Sequence, residues 1–118
     1  MIQRFAWGAL AATLLATTAT TVSAAEIGVA MSNFDDTFLT VLRGAMTDMD
    51  AKDDDLTLSF EDAQLDIGRQ LSQVENLIAK HVDAIIIHPV DQTATTQMTK
   101  LVFEAGIPLV YVNRPPIE

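Results

Sequence analysis

Two patterns of apolar positions alternate along the chain after residue 25. Short apolar or alternating runs are typical of strands and occur at Ile27–Met31, Leu56–Phe60, Ala84–Ile87 and Ile107–Val112. Longer segments with apolar residues every three or four positions are typical of amphipathic helices and run from Asp35 or Asp36 to about Asp50, from about Asp66 to Lys80, and over Thr93–Glu104. The pattern predicts the order β-α-β-α-β-α-β.

The first two predicted helices each carry one apolar stripe, which predicts the face that packs on the sheet. In the first helix the stripe consists of Phe38, Leu42, Ala45, Met46 and Met49. In the second helix it consists of Ile67, Leu71, Val74, Leu77 and Ile78.

Short connections between these elements predict the fold class. Right-handed crossovers convert such an order into an α/β fold, an open parallel sheet with helices on both faces. The unbroken isoleucines of Ala84–Ile87 suit a strand buried on both faces, whereas the alternating Leu56–Phe60 suits a position nearer the sheet edge. Ligands of such sheets bind beyond the carboxyl ends of the strands. We therefore expect the site among four segments: Ser32–Phe38, Phe60–Asp62, His88–Asp91 and Asn113–Arg114.

The amino terminus has the features of a secretory signal peptide. Arg4 supplies a positive start, Phe5–Ala16 is strongly apolar, and the segment ends in the small residues Ser23-Ala24-Ala25. We therefore predict a signal peptide over residues 1–24, a mature domain over residues 25–118 and a periplasmic location. An uncleaved anchor helix is the alternative, which the threonines of Thr17–Thr21 disfavour.

Charge and cysteine content narrow the function classes. The chain has a formal net charge of −9, and loss of Arg4 with the signal peptide leaves a more acidic mature domain. This balance argues against binding to nucleic acid or to anionic membrane surfaces. The absence of cysteine excludes disulfides, thiolate metal sites and cysteine nucleophiles.

Polar and aromatic side chains follow the predicted strands. Asp36 offers acceptor oxygens, and Asn113 and Arg114 offer donors, a mixture that satisfies sugar hydroxyls. Phe34 and Phe38 could present flat apolar faces to a sugar ring. Each residue also has a simpler interpretation, as a helix cap for Asp36, core for Phe38 and a surface ion pair for Arg114.

The loop after the third strand adds two further candidates, His88 and Asp91. His88 could be a loop histidine with satisfied hydrogen bonds, and a lone histidine makes a poor metal site. Asp91 is a carboxylate whose spacing does not show whether it faces the same cavity as Asp36.

Two other function classes stay open on the residues alone. Asp36 and Asp91 could be the acid and base of a small exported glycoside hydrolase. The pair Asp35-Asp36 and the acidic loop after the third strand also fit a receiver-like signalling domain. The motifs GxGxxG, GKS/T and GxSxG do not occur, which favours a binding protein over an enzyme.

Three segments resemble a known family: EIGVAMSNFDDTFLTVLRGAM, AKHVDAIIIHPVD and AGIPLVYVNRPP. They are similar to the first part of the amino-terminal lobe of type I periplasmic sugar-binding proteins, the ribose, galactose and inositol or rhizopine receptors of ATP-driven importers. The resemblance covers Ala25–Glu118 and implies a monosaccharide or cyclitol ligand held between two lobes. It also implies a membrane permease as partner, with no catalytic residue, cofactor or metal.

The resemblance also implies roles for individual residues. Asp36 matches a residue that accepts hydrogen bonds from ring hydroxyls, and Phe38 matches an aromatic that lines or stacks on the sugar. Asn113 and Arg114 match the pair that ends the fourth strand, and the Asn-Arg-Pro form looks closer to inositol- and rhizopine-type receptors than to ribose receptors.

The chain departs from the family pattern at two residues and in length. His88 takes a place where several relatives have Asn, and Ser32 replaces an aromatic of the glucose and galactose branch. Such receptors are about twice to three times as long, so the resemblance implies a fragment carrying half a site. We expect residues 25–118 alone to bind any sugar more weakly than about 1 mM.

Overall fold

The computed structural model describes residues 22–117, so residues 1–21 of the predicted signal peptide lie outside the described part of the chain. The described strands are β1 Ala25–Met31, β2 Leu56–Asp62, β3 Ala84–Ile87 and β4 Leu109–Tyr111. The α-helices are α1 Thr37–Asp50, α2 Ile67–Ala79 and α3 Thr95–Glu104, and a short 3-10 helix over Gln92–Ala94 leads into α3. The predicted element order is confirmed.

The four described strands form one parallel sheet in the order β2-β1-β3-β4. Strand β1 pairs with β2 along Ala25–Met31 and with β3 along Ile27–Ala30. The chain therefore leaves β1 toward one edge and returns on its other side, which creates a switch point between β1 and β3. The predicted edge position of β2 is confirmed in the described sheet.

The helices cover both faces of the sheet, as the sequence predicts. On one face Leu39 of α1 packs with Val29 and Met31 of β1. On the other face α2 and α3 pack on β3 through a buried apolar cluster: Ala30, Val74, Leu77, Val82, Ile85, Ile87, Met98 and Val102. The α/β class with an open parallel sheet is thus confirmed.

One glycine permits the close approach of α2 to the central strand. A Cβ atom placed on Gly28 would lie 2.5 Å from the Leu77 Cδ2 atom. Real Cβ atoms do not come this close to a neighbour, so a side chain at this position would force the buried Leu77 side chain of α2 to shift. The packing of Leu77 against β1 therefore depends on this glycine.

The inner face of α1 differs from the predicted stripe. Phe38 is 53% exposed and Met49 is also exposed, whereas Leu39 is buried. The packed row is Leu39, Leu42 and Met46. Asp50 continues the row, because its Oδ1 accepts a hydrogen bond from the Leu58 amide at 3.0 Å. At the end of α1 the inward-facing side chain is therefore the Asp50 carboxylate and not that of Met49, which the apolar pattern predicts.

The inner face of α2 also departs from the prediction at its first turn. Ile67, predicted to face inward, is exposed, and Gln70 is buried in its place. Gln70, Val74 and Leu77 form the buried row. The apolar pattern missed Gln70 because a polar residue is ordinarily exposed unless its hydrogen bonds are satisfied in the interior.

Candidate functional site

The loop between β1 and α1 is fixed by hydrogen bonds of Asn33 and Asp36. The Asp36 carboxylate caps α1, since its Oδ1 accepts from the Leu39 amide at 3.0 Å. The Asp36 amide in turn donates to Asn33 Oδ1 at 2.9 Å. Within residues 22–117 the second carboxylate oxygen of Asp36, Oδ2, has no hydrogen-bond partner. Asp36 is therefore both a helix cap and an available acceptor.

The two aromatic residues of this region lie in different surroundings. Phe34 packs against the apolar cluster under α1, and the Arg43 guanidinium carbon lies 4.0 Å from its ring centroid. Its carbonyl oxygen accepts from Thr40 Oγ1 at 2.9 Å. Phe38 instead lines a cavity at the carboxyl end of the sheet. The structure brings Phe38, but not Phe34, to the candidate site.

His88 lies in the floor of this cavity, directly after β3. It is 2% exposed, and its amide donates to the Ala30 carbonyl at 2.9 Å. Its ring joins two other strand ends, with Nδ1 2.9 Å from Ser32 Oγ and Nε2 3.2 Å from Asn113 Nδ2. Since the amide nitrogen of Asn113 is a donor, Nε2 accepts and Nδ1 carries the proton.

The charge state of His88 follows from its burial. Desolvation lowers the pKa of His88 below its ordinary value of 6.5, and the positive charge of Arg114 lowers it further. The hydrogen bond to the His88 backbone and the Asp36 carboxylate act in the opposite direction with smaller effect. His88 is therefore a neutral, singly protonated imidazole at neutral pH.

Asn113 and Arg114 reach the cavity from the turn after β4. Asn113 has a φ of +63°, a left-handed conformation that asparagine tolerates better than most residues. Arg114 Nη1 donates to the carbonyl oxygens of Pro89 at 3.2 Å and Val90 at 3.0 Å. Its Nε and Nη2 groups have no partner among the described residues, which leaves donors for a ligand.

These residues surround one cavity of about 200 Å³, here called the first cavity. Its lining is Ser32, Asn33, Asp36, Phe38, Leu39, His88, Asn113 and Arg114. Five of the seven predicted site residues are thus brought together, and Phe34 and Asp91 are not. Sequence reasoning did not single out Asn33 or Leu39 as lining residues. Asn33 lies in the predicted loop segment, whereas Leu39 gave no signal because it belongs to the core.

Asp91 caps the 3-10 helix. Its Oδ1 accepts from the Thr93 amide at 2.7 Å and from Thr93 Oγ1 at 2.6 Å. These bonds, the hydroxyl first, lower the pKa of Asp91, and the Arg114 charge adds to the effect. Asp91 is therefore an ionised cap outside the first cavity.

A second cavity of about 290 Å³ lies at the same edge of the sheet, beside β2. It is lined by Asn33, Asp35, Asp62, Gln64 and Leu65. Residues 22–117 contain no group of three or more His, Asp or Glu side chains placed to hold a metal ion. The described helices also include none that is long and apolar enough to cross a membrane.

Comparison with known proteins gives consistent matches. A family model described as a periplasmic binding protein domain matches residues 27–118. The chain is 49% identical over 116 residues to a provisionally named rhizopine-binding protein of Rhizobium meliloti, covering 98% of this chain and 37% of that protein. It is 32% identical over 88 residues to the ribose import binding protein of Bacillus subtilis, covering 75% of this chain and 28% of that protein.

A solved structure gives the same picture. An ABC transporter solute binding protein from Bacillus halodurans C-125, with bound myo-inositol, superimposes with a TM-score of 0.76 at 42% identity. The superposition covers 80% of this chain and 33% of that structure. The chain thus spans about a third of the length of the proteins that it matches.

Proposed function

Since this chain belongs to the periplasmic binding protein family, we propose that it captures a monosaccharide or a cyclitol, such as inositol or rhizopine, for an ATP-driven importer. In this proposal the ligand occupies the first cavity, the protein works in the periplasm after signal cleavage, and its partner is a membrane permease. The relatives named above are solute-binding proteins, and that role supports a binding function for this chain.

The observation that carries the proposal is that an acidic residue, Asp36, and a basic residue, Arg114, both line the first cavity. Asp36 Oδ2 can accept from a hydroxyl, and the Arg114 guanidinium can donate to one. The opposite charges of the two groups balance, and the floor formed by Ser32 and neutral His88 adds no net charge. A neutral ligand rich in hydroxyl groups satisfies such a lining better than an anion or a cation.

Phe38 gives the first cavity an apolar surface beside these polar groups. Its exposed ring can contact the C–H face of a sugar or cyclitol ring. The cavity volume of about 200 Å³ is below the roughly 300–1,000 Å³ of complete small-molecule pockets. This difference supports a half site, to which the second lobe implied by the family resemblance would contribute the remaining contacts.

The choice of a cyclitol over ribose rests on the relatives. The provisionally named rhizopine-binding protein and the structure with bound myo-inositol share 49% and 42% identity with the chain, against 32% for the ribose import protein. The Asn113-Arg114 pair supports the same choice, because its Asn-Arg-Pro form resembles inositol- and rhizopine-type receptors more than ribose receptors.

Among residues 22–117, no geometric feature favours the hydrolase or receiver alternatives. A glycosidase needs a carboxylic acid with a raised pKa beside a second carboxylate. The pKa of Asp91 is instead lowered, and Asp91 does not line the cavity that contains Asp36.

Titration calorimetry on the whole protein that contains these residues tests the proposed function. We expect saturable binding of myo-inositol or a related cyclitol, weaker binding of ribose, and no turnover of aryl glycosides. Absence of binding across a panel of cyclitols and monosaccharides would contradict the proposal. N-terminal sequencing of the exported protein tests its location, with Ala25 or Glu26 as the expected first residue.

A further inference from the structure

Gln70 has a buried side-chain amide and lines neither of the two cavities. Gln70 is 1% exposed and lies on the inner face of α2, in a row with Val74 and Leu77. A buried amide is costly unless its donors and acceptor are paired. The burial of Gln70 is therefore tolerated only because its side-chain amide is hydrogen-bonded.

Gln70 binds the ends of the two strands that flank the switch point. Its Nε2 donates to the His88 carbonyl at 2.9 Å and, more weakly, to the Ala30 carbonyl at 3.4 Å. Its Oε1 accepts from the Val90 amide at 2.9 Å. The side chain thus holds the backbone on both sides of Pro89.

The segment His88–Val90 is also what orients two residues of the first cavity. The His88 ring contacts the Asn113 amide, and the carbonyl oxygens of Pro89 and Val90 accept from Arg114. A shift of this segment would move the acceptors of Arg114 and the partner of Asn113 together. Both residues reach the cavity from a turn that follows the short strand β4.

We infer that Gln70 is a positioning residue for the first cavity: it clamps His88–Val90 and so sets the direction of Asn113 and Arg114 without touching the ligand. This inference rests on the proposed function. It differs from a purely structural role, because loss of the clamp should change the His88 ring and the ligand affinity together.

Gln73 on the same helix provides a matched control. Its Nε2 donates to the Asp62 carbonyl at 2.9 Å, so it holds the end of β2 and not the end of β3. Gln73 is partly buried, and its Oε1 is buried without a hydrogen-bond partner in the described residues. Replacement of either glutamine by leucine removes one interior amide, but only Gln70→Leu releases His88–Val90.

The test compares Gln70→Leu, Gln70→Glu and Gln73→Leu in the whole protein. Nitrogen-15 spectra of the His88 ring report its tautomer and titration, and calorimetry with myo-inositol reports affinity. In Gln70→Leu we expect mixed ring tautomers, a His88 titration closer to the ordinary histidine value, and affinity lower by about tenfold or more. Gln73→Leu should leave the ring and the affinity unchanged.

The Gln70→Glu variant separates the effect of the Gln70 hydrogen bonds from the effect of its packing. A protonated carboxyl group can donate to the His88 carbonyl and accept from the Val90 amide, whereas a carboxylate faces the Ala30 and His88 carbonyls without a donor. Burial raises a carboxyl pKa, so affinity relative to wild type should be near native at about pH 5 and reduced at about pH 8. Measuring the affinity of the wild-type protein at the same pH values corrects for the titration of His88.

Several outcomes would overturn the inference. One is Gln70→Leu with a lower thermal midpoint but with native ring spectra and affinity, which would show a structural role only. A second is an equal loss of affinity in Gln73→Leu. If wild-type protein binds no ligand of the panel, the proposed function fails, and an unchanged His88 ring in Gln70→Leu would then still refute the clamp.

Discussion

The two cavities at the carboxyl edge of the sheet differ in what they can bind. The second cavity is larger, at about 290 Å³ against about 200 Å³, and the two share Asn33. The lining of the first cavity includes a carboxylate, a guanidinium and the buried polar residues Ser32 and His88. The second carries the carboxylates of Asp35 and Asp62, and no cationic side chain lines it. This difference in lining is the reason that we propose the first cavity, and not the larger second one, as the ligand site.

The position of each cavity explains this difference. The first lies at the switch point between β1 and β3. The connections that follow these two strands run in opposite directions, so a crevice lined by polar residues opens between the strand ends. The second lies beside the edge strand β2, at a turn in which Gln64 and Leu65 both have positive φ. That turn is tied to the backbone that follows β1, since the Leu65 amide donates to the Ser32 carbonyl at 2.8 Å.

Among substitutions that distinguish the two cavities, that of Arg114 should have the largest effect on ligand affinity. Arg114→Ala removes the charged donor of the first cavity and leaves ligand hydroxyls unpaired, so affinity for the cyclitol should fall by about 2–4 kcal/mol. Titration calorimetry on the whole protein measures the change. Arg69→Ala, an exposed arginine on α2 that lines neither cavity, is the control and should keep native affinity. Native affinity in Arg114→Ala would remove this residue from the site.

Asp36 should give a similar or somewhat smaller loss of affinity. Asp36→Ala removes the free Oδ2 acceptor, and it also removes the cap of α1, which should lower the free energy of unfolding by about 1 kcal/mol. Asp66→Ala is the matched control, because Asp66 caps α2 through the Arg69 amide and lines neither cavity. Chemical denaturation should show a loss of stability in both variants. Calorimetry should show a loss of affinity in Asp36→Ala only. A loss of affinity in both would attribute the Asp36 effect to stability.

His88 lies buried in the floor of the first cavity, and its titration should make the free energy of unfolding depend on pH. Its pKa is lowered in the folded chain and is ordinary, about 6.5, in the unfolded chain. The unfolded state therefore binds more protons between these values, so the stabilisation is complete above about pH 6.5 and is lost as pH falls through the folded pKa.

The test is the free energy of unfolding of His88→Asn measured across this range. The variant should lose the His88 part of the pH dependence while other groups titrate as before. His81→Asn is the control, since His81 is exposed with a φ of +57°, which asparagine tolerates. A pH profile of His88→Asn that superimposes on wild type would contradict the neutral, buried state of His88.

The second cavity should give the smallest effect. Asp62→Asn keeps an acceptor for the Gln64 amide, which now binds Asp62 Oδ1 at 2.9 Å, and Asp35 is exposed. Substitution of either carboxylate by an amide should change affinity and stability by no more than about 0.5 kcal/mol. Calorimetry showing a larger loss of cyclitol affinity in Asp62→Asn would move the site to the second cavity.

The fold was largely predictable because buried strands and amphipathic helices leave strong periodic signals. Two errors occur where a polar residue takes an inward-facing position, as the buried Gln70 and the half-buried Asp50 do through hydrogen bonds that periodicity does not encode. The predicted fourth strand, Ile107–Val112, is also longer than β4. Its first residue closes a helix instead, since the Ile107 amide donates to the Val102 carbonyl at 3.2 Å.

The site was predictable to the level of strand ends but not of individual contacts. The rule for parallel sheets located the segments that contain Asp36, His88 and Arg114. Spacing along the chain did not show that Phe34 would pack under α1, or that Asp91 would bond to Thr93. Such contacts depend on side-chain directions, which a one-dimensional pattern does not carry.

The most direct test of the proposed site is an amide chemical-shift map of the whole protein during titration with myo-inositol. We expect saturable shifts at the amides around the first cavity, those of Asn33, Asp36, His88, Asn113 and Arg114. Shifts at Asp62, Gln64 and Leu65 should be no larger than the average. Saturable shifts centred on those last three residues, or a spectrum that myo-inositol and the other ligands of the panel leave unchanged, would contradict the proposed site.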